Sequence, residues 1–264
     1  MKKRLTDIIN NMHKYNSSNL CKDMFGFDEN IIYDALVIAP GWKATNIIKD
    51  GSFNITVLAE HSYICGFLLE KDNLKIAWIQ CSPGASNLID HLSVCAEINF
   101  KKLIFVGAVG SLSTDYNVGD LCTPSYSISG VFANAYLGDR LSDYKPFEKI
   151  YPDNNYINRI IDLAKKSNYE LKKASVFCTD SIALEYSHLD EIKSFNTALI
   201  EMETSSFYLL ADLFEIPAIA LLAVSDNSSA GDPLVGRNDE LNKKYHYCRN
   251  TVIPDLIYKI AKSE

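Results

Sequence analysis

No apolar stretch in this 264-residue chain approaches the length of a membrane span, and its basic start, MKKRLTDIINNMHK, lacks the continuous hydrophobic core of a signal peptide. Both absences set the expectation of a cytoplasmic protein without membrane contact. Cysteine occurs at 21, 65, 81, 95, 122, 178 and 248, yet no two form a CxxC pair. The wide spacing argues against a zinc site or a disulfide frame, and the placement of several cysteines inside apolar runs fits buried, reduced thiols. A basic patch is missing too. Net charge is -7 with Lys and Arg scattered, so the chain carries no electrostatic footprint for nucleic acid. Internal repeats and low-complexity tracts are also absent. What these exclusions leave is a partner that is a small molecule.

At 47% hydrophobic, the chain has enough apolar residues for a sizeable core, and one domain is expected over residues 35–264. Residues 1–34 read as an N-terminal extension, a weakly amphipathic helix followed by the polar KYNSSN loop. Residues 35–39 form a short apolar run closed by Pro40-Gly41, and 53–59, 63–69 and 74–80 read as further strands separated by polar turns. After Cys81-Ser82-Pro83-Gly84, the spacing of Leu88, Leu92, Cys95 and Ile98 predicts a helix. Residues 102–106 are the next strand, running into Gly107-Ala108-Val109-Gly110. Two glycines there would permit a tight turn and let a ligand approach bare backbone. Residues 130–152, rich in aromatics and turn formers without a period, are expected as a long surface loop. Helices are expected at 156–167, 189–195 and 238–262, the last broken at Pro254, with a strand at 174–178.

The stretch from 198 to 227 organises the rest. Residues 198–202 form a short run that is apolar but for Glu201, Glu203 opens a segment with Phe207, Leu210 and Phe214 at helical spacing, and Pro217 precedes the unbroken apolar run 218–224. A strand–helix–strand unit follows, and a right-handed crossover would make the two strands parallel, with Glu203 and Asp226 at one sheet edge. Ligands of open α/β sheets bind outside the carboxyl ends of strands. Two carboxylates delivered there are candidates for work on a ligand, although a helix start and a turn cap would use the same residues.

Three motifs, in order across residues 35–260, give this chain a resemblance to the nucleoside phosphorylase and nucleosidase family. Leu103-Ile-Phe-Val-Gly107-Ala-Val-Gly110, with Asn117-Val-Gly-Asp120 after it, resembles the family's nucleophile loop and "VGD" strand. Ile200-Glu201-Met202-Glu203 is similar to its "VEME" ribose element, and Val224-Ser225-Asp226 to the "SD" element that handles the base. The resemblance implies a three-layer α/β/α domain around a mixed, partly barrel-like twisted sheet. It also implies a homo-oligomer (dimer, trimer or hexamer), and cleavage of the N-glycosidic bond of a purine-type nucleoside through an oxocarbenium-like transition state. In that reading Glu203 accepts hydrogen bonds from the ribose hydroxyls, Met202 packs on the sugar, and Asp226 protonates the base, with Arg237 as its nearest helper. Glu201, Pro83, Ile182, Ser225 and the backbone from Gly107 to Gly110 complete the substrate site. Base stacking is expected from residues 178–183 with Phe132 or Ala133. No cofactor is implied beyond inorganic phosphate as co-substrate of a phosphorylase.

The nucleophile side departs from the family pattern. Where the family has a Gly-Asp-Pro-Leu-Arg turn, this chain has Gly41-Trp-Lys43-Ala-Thr45; Phe105 replaces a second arginine, Ala108 a hydroxyl, and Ser62 beside His61 the arginine lent by a neighbouring subunit. Lys43 and His61 are the remaining anion-binding candidates. The carboxylate that activates water in hydrolytic relatives is replaced by Ala44, leaving Glu60 and His61 nearby. Four alternatives therefore stand: phosphorolysis, hydrolysis, action on a nucleotide or modified nucleoside whose phosphate fills the altered pocket, and noncatalytic nucleoside binding or storage.

Overall fold

The computed structural model describes residues 1–16 and 18–263; Ser17, inside the polar stretch expected as a loop, and Glu264 lie outside the described residues. The principal strands are β1 (Ala35–Pro40), β2 (Asn54–Glu60), β3 (Cys65–Lys71), β4 (Leu74–Cys81), β5 (Leu103–Ser111), β6 (Leu121–Ser129), β7 (Leu171–Cys178), β8 (Leu199–Glu201) and β9 (Ala218–Asn227). They lie in the order β8-β7-β6-β9-β5-β1-β4-β3-β2, with the short strand Lys149–Ile150 added beside β6. A further pairing of β8 with β5 closes β5, β9, β6, β7 and β8 into a five-stranded mixed barrel. The remaining four strands extend from it as an open wing.

Alternation along the strands builds two cores. In β1, Leu36 and Ile38 point into one, and Ala35, Val37 and Ala39 into the other; in β9, Ala220 and Leu222 are opposed to Ile219 and Leu221. A strand buried on both faces must be apolar throughout, which is why these two read as unbroken runs. The helices are α1 (Lys3–His13), α2 (Leu20–Phe25), the single turn α3 (Ala44–Ile47), α4 (Ala85–Ser93), α5 (Asn154–Lys166), α6 (Ile182–Glu185), α7 (Leu189–Ser194), α8 (Thr204–Phe214), α9 (Asp239–Tyr247) and α10 (Ile253–Lys262). Helices α1, α2, α4 and α8 cover the first core, and α3, α5, α9 and α10 the second, giving three layers. A π-helical turn, Cys248–Val252, separates α9 from α10, and Pro254 follows it in the first turn of α10.

Helices α1 and α2 and the segment from Phe27 to Tyr33 pack into the same core. Leu5, Cys21, Phe25 and Phe27 are fully buried, and the Phe25 carbonyl passes so close to Gly66 that an added Cβ would lie 1.9 Å from its oxygen. His13 Nε2 lies 2.8 Å from Glu97, whose other oxygen accepts from Cys21 N at 2.8 Å. All seven cysteines are buried and none is disulfide-bonded. No helix among the described residues is long and apolar enough to cross a membrane.

Three sequence expectations change. The glycines at 107 and 110 do not form a turn: β5 runs through both to Ser111, and neither has a positive φ. Their missing side chains supply space instead. Strands β8 and β9 do not form a parallel pair either. β9 is parallel to β5, whereas β8 is antiparallel to β5 and parallel to β7 on its other edge. Barrel closure chose these partners, and hydrophobic pattern reports burial rather than partner. The 130–152 segment is more ordered than a surface loop. It holds 3₁₀ turns at Phe132–Leu137 and Leu141–Asp143 and buries Val131, Asn134 and Leu137.

Candidate active site

Because β5 pairs with β8 on one edge and β9 on the other, Gly110 stands opposite both Ile200 and Asp226. The two acidic segments therefore meet across one residue of β5. A Cβ on Gly110 would lie 3.0 Å from Asp226 Oδ2 and 3.2 Å from Ile200 Cγ2, so only glycine leaves both in place. The register of β9 against β5 shifts between Val224 and Asp226, leaving Ser225 as the extra residue of a bulge that re-aims the Asp226 side chain. Two anchors hold this bulge. Val224 N donates to Asp120 O and Val224 O accepts from Gly119 N, at 3.0 and 2.9 Å. Arg237 Nη1 donates to Ser225 O at 2.7 Å and its guanidinium lies over the Tyr245 ring at 4.7 Å.

Around this point opens a cavity of about 270 Å³, close to the lower end of small-molecule sites, which begin near 300 Å³. Gly41, Pro83, Phe105, the β5 backbone from Gly107 to Gly110, Ile182, Met202, Glu203, Ser225 and Asp226 all line it. Glu203 is buried, and its Oε1 accepts from Gly84 N at 2.5 Å. Burial, then the charge of Glu201, pushes its pKa up to about 8, against the pull of the Gly84 N–H. Burial also raises the pKa of Asp226; the Ser225 hydroxyl, 2.6 Å from Oδ1, and the Arg237 charge act in the opposite direction.

Glu201 borders the cavity but is occupied elsewhere. Its carboxylate accepts from Glu203 N, Thr204 N, Thr204 Oγ1 and Cys178 Sγ, at 2.7 to 2.8 Å. Burial raises its pKa while those four donors oppose the rise. Its work is to satisfy the first amides of α8 and so to fix the turn that presents Met202 and Glu203. Asp120 of the "VGD" motif is likewise remote, bonded to Lys172 at 2.8 Å.

Of the expected nucleophile side, Gly41 and Phe105 line the cavity, but Lys43, Thr45 and His61 are not brought to it. Lys43 pairs with Glu60 at 2.6 Å, Thr45 is exposed on α3, and His61 is exposed in the turn after β2. None of these three lines the cavity, nor does Arg237 or the expected stacking residue Phe132. Among the described residues, no Lys, Arg or His lines it, while four carboxyls do: Glu185, Glu201, Glu203 and Asp226. Trp42, Glu185 and Tyr186 are lining residues that the sequence reading missed. The last two sit on and just after the one-turn helix α6, too short to give a periodic pattern, although their position after the end of β7 marked that loop as site-forming. No group of His, Cys, Asp and Glu among the described residues could hold a metal ion.

Two half-buried or buried acids facing one cavity across a bare strand are suited to holding hydroxyls and moving a proton. Against known families, residues 56–245 match the one described as Phosphorylase superfamily. The chain belongs to that superfamily. It is 28% identical over 150 residues to a DeoD-type purine nucleoside phosphorylase of Bacillus velezensis, covering 57% of this chain and 62% of the relative. With the corresponding Buchnera aphidicola protein it shares 26% over 164 residues, 60% of this chain and 64% of that one. The matches thus span less than two thirds of these relatives. Among solved structures, uridine phosphorylase from Vibrio fischeri superposes with a TM-score of 0.71 at 17% identity, covering 89% of this chain and 94% of that chain. The Campylobacter jejuni 5'-methylthioadenosine/S-adenosyl homocysteine nucleosidase gives 0.66 at 16%, covering 86% and 97%. Both share the fold, and the superfamily member described here has the same mixed, barrel-like sheet.

Proposed function

We propose that this superfamily member cleaves the N-glycosidic bond of a purine-type N-riboside, with water as the nucleophile. The observation that carries the reading is the convergence of Glu203 and Asp226 on one cavity. Breaking the bond places positive charge on the sugar and negative charge on the base. Glu203, deep beside Gly84, is placed to share hydrogen bonds with ribose hydroxyls, and the cation forming on the sugar would favour the ionised state of its carboxyl. Asp226, with its pKa raised by burial, is placed to donate a proton to a ring nitrogen of the departing base. Net, the base–C1′ bond breaks, the oxygen of water joins C1′, and its proton is accounted for on the released base.

Water is favoured over phosphate by charge. A phosphate dianion entering this cavity would shed its hydration with no cationic side chain among the described residues to compensate, beside four carboxyls whose ionisation its charge would oppose. Lys43, the nearest candidate, is already neutralised by Glu60. The test is to incubate the purified protein with a panel of nucleosides, with and without phosphate, and to read free base by chromatography. Base release independent of phosphate is expected. Strict phosphate dependence would replace hydrolysis by phosphorolysis, and no release from any riboside would overturn cleavage altogether. Exposed Phe132 and Tyr136, whose rings lie edge-on 6.3 Å apart, support a homo-oligomer packed through that patch, which sedimentation would test.

A further inference from the structure

Glu185 differs from the other acids of the cavity. Glu201 and Glu203 accept from backbone amides and Asp226 from the Ser225 hydroxyl, whereas the Glu185 carboxyl has no hydrogen-bond or ion-pair partner among the described residues. It ends α6, half-buried, on the wall that also carries Tyr186. Burial, followed by the charge of Asp226, pushes its pKa up to about 7, so the two carboxyls sense each other across the space a base would fill. An unpartnered, half-desolvated carboxyl beside the acid that handles the base is placed for a ligand donor.

Ring chemistry then limits that ligand. In a purine, N7 and the substituent at C6 share one edge, so a base presenting N7 to Asp226 offers its 6-substituent to the next polar group along that wall. An ionised carboxylate only accepts hydrogen bonds. A 6-amino group would satisfy it, whereas a 6-oxo group would place one lone pair against another. Lys, Arg, His, Asn and Gln are missing from the lining among the described residues; of its hydroxyl and indole donors, Ser225 is directed to Asp226, which leaves the Tyr186 hydroxyl and the Trp42 indole. We propose that Glu185 selects the base, accepting 6-aminopurines and rejecting 6-oxopurines. The proposal rests on the cleavage reading above, which puts the base beside Asp226.

The experiment pairs binding with turnover at about pH 8, where most of Glu185 is ionised. Adenine and hypoxanthine are titrated calorimetrically into the full-length protein and into Glu185→Gln, and cleavage of adenosine and inosine is followed in both. At the half-exposed end of a short helix, this substitution leaves the core intact, which an unchanged melting temperature would establish. Adenine is expected to bind at least about 10-fold more tightly than hypoxanthine, and adenosine to be preferred in kcat/KM by a similar factor. In Glu185→Gln, whose amide both donates and accepts, each ratio should fall towards one. Equal binding of the two bases, binding of neither, or a ratio unchanged in the variant would overturn base selection by Glu185. Selective adenine binding through Glu185 without turnover of any riboside would remove the cleavage reading and leave the recognition standing. Turnover without base preference would do the reverse.

Discussion

Asp226 and Glu203 are both carboxyls drawn out of water, and their tasks differ because their neighbours differ. Asp226 has a hydroxyl and a nearby guanidinium; Glu203 has one amide and a second carboxylate. Replacing Asp226 by Asn keeps shape and removes the transferable proton, so the maximal rate of base release should fall by about 100-fold or more with a smaller change in KM. Parent-like turnover by Asp226→Asn would exclude it as the acid. Glu203 makes a separate prediction for stability. Its carboxyl ionises near its ordinary value of 4.5 when unfolded but near about 8 when folded, so between these pH values the native state alone holds the proton. Stability should therefore decline as pH rises through that window and level off above it. Glu203→Gln carries no such charge, and its melting temperature relative to the parent should climb from pH 5 to pH 9. Parallel melting curves across that range would contradict the assignment.

At the scale of elements, the site depends on one long strand and one bulge. β5 is bare at Gly110 because Asp226 and Ile200 close on it from either side. Gly110→Ala should displace the Asp226 carboxyl by a fraction of an ångström to an ångström and lower the rate by up to about 100-fold, with a fold that still melts cooperatively. Gly119 is different in kind. Its φ is +93°, and an added Cβ would lie 2.7 Å from Lys244 Cβ, so Gly119→Ala strains the backbone and pushes on α9 together. The turn it forms holds Val224 by two hydrogen bonds. This variant should lose more than about 1 kcal/mol of stability, read by denaturant unfolding, and lose activity with it. A rate defect in Gly119→Ala without a stability defect would mean that the "VGD" turn touches substrate rather than supporting the bulge.

For the molecule as a whole, two cores pressed on either face of the sheet carry the stability, and Leu5, Cys21, Phe25 and Phe27 near the N-terminus complete one of them. Phe25 is fully buried, stacked on Phe27 with ring centroids 5.9 Å apart and edge-on to His91. Phe25→Ala leaves a cavity in that core, on the side of the sheet that α2 covers, and should cost about 3–5 kcal/mol of unfolding free energy. The folded fraction should retain parent-like KM, since Phe25 does not line the cavity. An unfolding midpoint equal to the parent's would show that the extension is not part of the core.

Much of this was readable from residue order alone. The unbroken apolar runs at 35–39 and 218–224 had to be strands buried on both faces, Pro254 had to interrupt the last helix, and Glu203 and Asp226 had to stand at element ends, because burial and backbone chemistry act locally. Tertiary structure decided the rest. Which edges β8 would find, and hence that it runs antiparallel to β5, follows from closing a barrel, a condition on five strands at once that no window of sequence contains. The same closure makes Gly110 the meeting point of the two acids, leaves Lys43 with Glu60 outside the cavity, and turns Glu185 into it. Residue types and their periods determine what each segment buries; only the folded chain determines which buried and half-buried charges face one another.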